Sequence, residues 1–242
     1  MARRSCMVAG LSFLLVIVQG DYSQQQSTAK GCGIPIVVNT VPIPDPARLA
    51  GTWYKHRHTG AATVNQIFNH VALNRTGLPF TLTSAVGTYI HIEQYNSVSD
   101  TQCINRFYIG VCGTNGQCPG KGLSSVDDYV PINNDFNMLY LDIDNFYIVY
   151  ACGGPNYKTG MCDRPSFHVI TRNRPDKLTA DQVKAMDDIT DAILTPYCFS
   201  AADIPQQAHT DSKPYCPFID FPPCVQRDIT GLMNDVRNAT SN

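Results

Sequence analysis

From Thr52 onward the chain repeats short segments rich in β-branched and aromatic residues, separated by clusters of Gly, Asn, Asp and Pro. That rhythm predicts an all-β barrel or sandwich. The segments fall at 51–58, 68–75, 79–86, 88–95, 103–111, 121–130, 137–142, 145–152 and 166–172, one more than eight. The period then changes. Val183, Met186, Ile189 and Ile193 recur at helical spacing with Lys184, Asp187, Asp188 and Asp191 among them, which predicts an amphipathic helix of about four turns. Thr179 as N-cap and Gln182 three residues on form a capping box at its start. Its apolar stripe is expected to dock on the wall of the strands.

The two ends depart from this pattern. Arg3 and Arg4 precede an apolar run from Leu11 to Val18, and small Val18 and Gly20 stand before Asp21, which reads as a signal peptide over 1–20. Between Asp21 and Pro46 the chain is rich in Gln, Ser and Pro, with Cys32 between two glycines, and is expected to form an irregular arm. Beyond Leu194 lies a Pro- and Cys-containing extension that includes Cys216 and Cys224. The expected organisation is therefore signal peptide 1–20, arm 21–46, barrel and helix 47–198, and extension 199–242. No later apolar run approaches the roughly 18 unbroken residues of a membrane-spanning helix. The expected product is secreted and extracellular, without a transmembrane segment.

Charge and cysteine content narrow the chemistry. Without Arg3 and Arg4 the 18 basic residues fall to 16 against 20 acidic ones, a net charge of −4 with no basic block, so nucleic acid is not an expected partner. Ten cysteines in an exported chain point to disulfides, and nine remain once Cys6 leaves with the signal peptide. An odd count leaves one thiol free, linked to another chain or bound to a ligand. Nine choices of that thiol and 105 pairings of the rest give 9 × 105 = 945 arrangements, and the sequence does not choose among them. A disulfide-linked or non-covalent oligomer stays open. Asn74-Arg75-Thr76 and Asn238-Ala239-Thr240 match the N-glycosylation acceptor.

Three separated motifs point to one family. Gly51-Thr52-Trp53-Tyr54 opens the first strand; Asp142 lies in the turn before Phe146-Tyr147-Ile148-Val149-Tyr150-Ala151-Cys152; and Arg172 follows Phe167-His168-Val169-Ile170-Thr171. In this order they resemble the lipocalin family's Gly-x-Trp, its Thr-Asp-Tyr turn and its terminal arginine, although Leu141 and Ile143 replace the usual Thr and Tyr. The resemblance implies an eight-stranded antiparallel up-and-down β-barrel with one C-terminal helix and disulfide-pinned arms. It further implies a barrel base where the guanidinium of Arg172 lies over the indole of Trp53, the sole tryptophan. Within the family the chain is most similar to the branch of apolipoprotein D, insect bilin-binding and crustacean carotenoid-binding proteins. That likeness implies one disulfide between Cys32 and Cys152 and another between Cys103 and Cys216.

A barrel of this size admits one small ligand through its open end. Side chains alternate along 145–152, so either Phe146, Ile148 and Tyr150 or Tyr147, Val149 and Ala151 line the cavity. Met138 and Tyr140 share one face of 137–142, and Tyr89 and Phe107 lie on candidate walls. The candidate cavity set is Tyr89, Phe107, Met138, Tyr140, Phe146, Ile148 and Tyr150. The resemblance implies binding or transport of a small hydrophobic ligand such as a bilin, carotenoid, sterol, retinoid or fatty acid. No cofactor is required, a pigment or lipid being cargo. Three rival readings compete with this one. His56 and His58, two apart on one strand, suggest a metal or haem site but have no third ligand at a recognisable spacing. A thiol enzyme lacks a base placed beside any cysteine and any Gly-x-Ser-x-Gly or His-Glu-x-x-His motif. A crosslinked matrix protein would use the Cys-rich ends and odd thiol on a barrel scaffold.

Overall fold

The computed structural model describes residues 33–43, 46–60, 63–73, 86–96, 103–113, 117–118, 120–124, 131–133, 136–213 and 215–216. Side chains are described for 33–43, 48–60, 63–67, 136–213 and 215–216. The signal peptide, Cys32, Cys224, the acceptor asparagines Asn74 and Asn238, and the extension past Cys216 lie outside them.

The alternating segments form strands β1 (Gly51–His58), β2 (Val64–Leu73), β3 (Val86–Asn96), β4 (Cys103–Gly113), β5 (Gln117–Cys118), β6 (Gly120–Ser124), β7 (Pro131–Asn133), β8 (Phe136–Asp142) and β9 (Phe146–Cys152). A small hairpin, β10 (Pro155–Asn156) and β11 (Met161–Cys162), precedes β12 (Pro165–Thr171). The segment expected at 79–86 lies outside the described residues except for Val86, which opens β3. The larger sheet runs β5-β8-β9-β12-β1-β2-β3-β4-β6-β7, with each pair of neighbours antiparallel. Eight of these strands follow one another up and down, with β12 returning beside β1. β5 and β7 are short additions.

Helix α1 (Ala180–Leu194) starts where its cap residues predict. Gln182 N–H donates to the Thr179 hydroxyl and the Gln182 side chain accepts from the Thr179 N–H. Met186 and Leu194 are buried, and Val183, Ile189 and Ile193 pack beside them against Ile148, Tyr150, Phe167 and Val169. This layer defines the outer face of the sheet. A second cluster, Ile43, Leu49, Trp53, Met138, Tyr147, Val149 and Ile170, fills the opposite, inner face. Among the described residues no helix is long and apolar enough to cross a membrane.

Two irregularities redirect side chains. β1 slips against β12 between Lys55 and Arg57, and β8 slips against β9 between Met138 and Tyr140. Each is a β-bulge, one extra residue that shifts the alternation beyond it. The chain after α1 then crosses β1 and β2, with His58 N–H donating to the Pro205 carbonyl and Gln207 N–H to that of His56. Asn65, buried and at φ 52°, holds this strap by donating to the carbonyls of Thr210 and Lys213 and accepting from Thr210 N–H.

Candidate functional site

One end of the inner face is shut. Gly51 has φ +103°, a conformation that L side chains rarely adopt, and it turns the chain from the 3-10 turn Pro46–Leu49 into β1. Trp53, wholly buried, donates its Nε1–H to the Leu49 carbonyl at 2.7 Å and packs edge-on against Tyr147 at 4.7 Å. The Arg172 guanidinium carbon lies 3.8 Å from the centre of the indole, within cation–π range. Arg172 also donates to the carbonyls of Ala50, Ile143 and Arg48. In the turn between β8 and β9, Asp142 accepts from Asp144 N–H and from the Asn145 side chain, and Asn145 in turn accepts from Arg172 N–H. Thus Gly51, Trp53, Asp142 and Arg172 meet in one place. An ion pair between Arg48 and Asp144 ties the outside of the same corner.

From that floor the inner face rises along four adjacent strands. Register aligns Lys55 with Ile170 and Tyr147, then His58 with His168 and Val149, then Ser166 with Ala151 and Phe136. Lys55 is wholly buried, whereas His58, His168, Ser166 and Phe136 are half-buried. The two imidazoles lie 4.4 Å apart between ring centres. Their Nε2 atoms approach the Ser166 hydroxyl, at 3.1 Å from His168 and 3.5 Å from His58. Thr59 donates to the same hydroxyl at 3.4 Å.

Three expectations for the cavity are corrected here. Phe146, Ile148 and Tyr150 do not face the Trp53 cluster: they belong to the outer layer under α1. Tyr150 stacks on Phe167 at 5.5 Å and donates its hydroxyl to the Pro35 carbonyl of the N-terminal arm at 2.9 Å. Burial of that phenol, with Tyr197 nearby, pushes its pKa up to about 12. The inner set on β9 is therefore Tyr147, Val149 and Ala151. Second, Met138 and Tyr140 do not share a face, because the bulge between them sends Met138 to the Trp53 cluster and Tyr140 onto Phe146, 4.9 Å away in the outer layer. Third, His56 and His58 do not share a face. His56 is the extra residue of the β1 bulge and sits near Arg57, Asp187 and His209, while His58 pairs with inner His168.

For Tyr89 and Phe107 only the backbone is described. Register runs Trp53 to Phe68 to Glu93 to Arg106, and in the same alternate set Ala72 to Tyr89 to Gly110. Phe107 stands in the other set, with Ile92, Asn69 and Thr52.

His56 is 3% exposed, and neither ring nitrogen has a hydrogen-bond partner. Burial, reinforced by the Arg57 guanidinium, pushes its imidazole down to about 4. Arg57 makes a two-pronged ion pair with Asp187 of α1, at 2.9 and 2.7 Å, and donates to the Ile204 carbonyl at 3.0 Å. The sequence carried no signal for this clamp beyond an acidic residue on the helix.

The disulfide expected between Cys32 and Cys152 is also corrected. Cys152 is bonded to Cys162, with 5.8 Å between their Cα atoms. The physical reason is local: β9 ends at Cys152, and the β10–β11 hairpin brings the chain back within disulfide reach. The arm is held there by backbone pairing, Cys162 N–H donating to the Ile34 carbonyl and Ile36 N–H to that of Gly160. Cys198 and Cys216 each take part in a disulfide as well. The side chain of Cys103 lies outside the described set. Among the described residues no three His, Cys, Asp or Glu side chains cluster as a metal site would require.

Comparison with known proteins gives a fold. No family model matches the sequence, and no curated protein matches it at a significant level. Among solved structures, apocrustacyanin C1 is similar with a TM-score of 0.51 at 12% identity, over 75% of this chain and 93% of that one. Lobster apocrustacyanin A1 gives 0.50 at 12%, over 77% and 96%. Insecticyanin from the tobacco hornworm Manduca sexta gives 0.52 at 11%, over 75% and 89%. These structures are lipocalins. With the strand order, the single docked helix and the Trp53–Arg172 base all in one chain, the protein has the lipocalin fold.

Proposed function

We propose that this protein is a secreted carrier that binds one small hydrophobic molecule in the lumen above Trp53. The observation that carries the reading is the stopper at the base. Trp53, Tyr147, Ile170 and Met138 pack into a floor beneath Arg172, so a ligand enters from the end where β9 stops and β12 begins. Binding there works by removing apolar ligand surface from water, worth about 25 cal/mol per Å², while a few polar groups fix orientation. The function is capture and release, not turnover. In this reading residues 1–20 direct export, 47–198 form the binding domain, and Asn74 and Asn238 are glycan acceptors. The bilin, carotenoid, sterol, retinoid and fatty acid classes are the candidates.

Native mass spectrometry of the full chain, secreted from eukaryotic cells and kept unreduced, tests this. The expected spectrum contains the chain plus one small molecule that organic solvent releases. A chain that stays empty after incubation with members of all five classes contradicts the carrier reading.

A further inference from the structure

The strap after α1 does more than cross β1 and β2: it stands in for part of their pairing. That pairing ends at Tyr54 and Ile67. Beyond it, residues 205–208 lie between the two strands as a short inserted strand, bridged antiparallel to β1 at Arg57 and Gln206 and parallel to β2 at Val64 and Ala208. Gln207 N–H donates to the His56 carbonyl at 2.9 Å, His58 N–H to that of Pro205 at 3.0 Å, and Asn65 N–H to that of Ala208 at 2.9 Å. Ile204, just before them, is anchored in the layer under α1. The inserted residues themselves are held by these backbone bonds, each of modest net worth, and by the Gln207 side chain, which accepts from Thr63.

His56 lies at this junction. Its ring has Asp187 of α1 on one side, His209 of the strap on another and Arg57 beside it. Of the other groups nearby, Lys55 and His58 belong to the inner face, and the β2 residues Val64, Asn65, Gln66 and Ile67 carry no charge. Asp187 already accepts from Arg57 with both oxygens, and Arg57 also holds the Ile204 carbonyl at the head of the strap. Neither nitrogen of His56 has a hydrogen-bond partner, and the ring is buried. A proton there adds a second buried cation beside the Arg57 guanidinium, with no acceptor in contact, an arrangement that solvent relieves. His209 differs. Its Nε2 carries hydrogen, since it faces the Lys55 carbonyl at 2.8 Å, and its Nδ1 meets the Tyr215 hydroxyl at 2.9 Å, a group that can donate or accept. A second proton keeps both bonds, so His209 is the weaker of the two acid-sensitive groups, although burial holds it low as well.

We propose that the strap is an acid-sensitive latch: protonation of His56 drives residues 205–208 out of the gap between β1 and β2, letting water reach the charged ring, while α1 and the remaining strands stay in place. Helix α1 stays because Met186 and Leu194 are buried in the layer beneath it. The strap leaves without being lost, because Cys198 before it and Cys216 after it each take part in a disulfide. The latch acts on the sheet itself and does not depend on the carrier reading.

Amide hydrogen exchange, followed by NMR in the full chain with its disulfides intact, tests this. The opening constants of the Gln207, His58 and Asn65 amides are expected to exceed those of the β9 amides at every pH. They are also expected to rise together by about a hundredfold between pH 6.5 and 4, as follows from a ring held down to about 4 while the strap is closed. In His56→Leu that rise is expected to shrink at least about tenfold. Strap constants equal to those of β9 at every pH would mean that only unfolding of the whole chain exposes these amides, and would overturn the latch. A strap that opens no more at pH 4 than at pH 6.5 overturns it too. A rise in His56→Leu as large as in the unmodified chain places the sensor elsewhere and overturns the role of His56. The comparison of strap with β9 in the unmodified chain needs no variant to fold.

Discussion

His56 makes the clearest residue-scale prediction. In the unfolded chain its imidazole takes up a proton near pH 6.5, whereas the folded protein, with the ring buried beside Arg57, holds it neutral down to about 4. The folded state is therefore at full strength above pH 6.5 and loses stability as the pH falls through this window, at up to about 1.4 kcal/mol per unit. Asp187 opposes the shift, while His209, itself held low chiefly by burial, adds to the acid sensitivity. In urea titrations between pH 6.5 and 4, the unmodified protein is expected to lose about 2–3 kcal/mol more than His56→Leu. Parallel losses in the two proteins would contradict this. The residue was visible in the sequence but misread. A histidine two positions from another marks a shared strand face only where the strand is regular, and the extra residue at the bulge leaves no trace in the alternation.

At the scale of elements, β1, β8, β9, β12 and α1 were legible because they carry periodic signals with punctuation between them: the glycine that opens β1, the Asp142 turn, the Thr179 cap. The facing of β9 was not. Its residues from Phe146 to Ala151 are all buried, one set under α1 and the other over the floor, so hydrophobicity cannot say which is which. Met138 and Tyr140 failed for a related reason, a bulge in an apolar strand. The Cys152–Cys162 link was hidden by a resemblance that drew attention to Cys32, although a separation of ten residues across a Gly- and Pro-containing hairpin was there to read. Cys162→Ser is expected to expose Cys152 to alkylation in the folded protein. Replacing both residues by serine should lower the unfolding free energy by about 2–3 kcal/mol, the chain-entropy value for a loop of this length. A Cys152 that stays blocked in Cys162→Ser would mean that it is held by another partner.

For the whole molecule, the fold follows from local features that agree with one another: alternation, turns, one capped helix and an indole under a guanidinium. What the lumen holds was less legible, because polar inner residues such as Lys55 and His168 look, one at a time, like solvated strand positions. Only register brings them together above Trp53. The central claim is that a single lipophile occupies that space. Trp53 is the only tryptophan in the chain, so its fluorescence reports on the floor of the lumen alone. Titration of the full chain with a retinoid, a carotenoid, a bilin, a sterol and a fatty acid, the last two being transparent and read by displacement of a bound polyene, tests it directly. We predict saturable quenching by at least one of them, ending at one ligand per chain. Trp53 emission that is unchanged by every polyene and pigment, with no competitor displacing anything, would contradict the account.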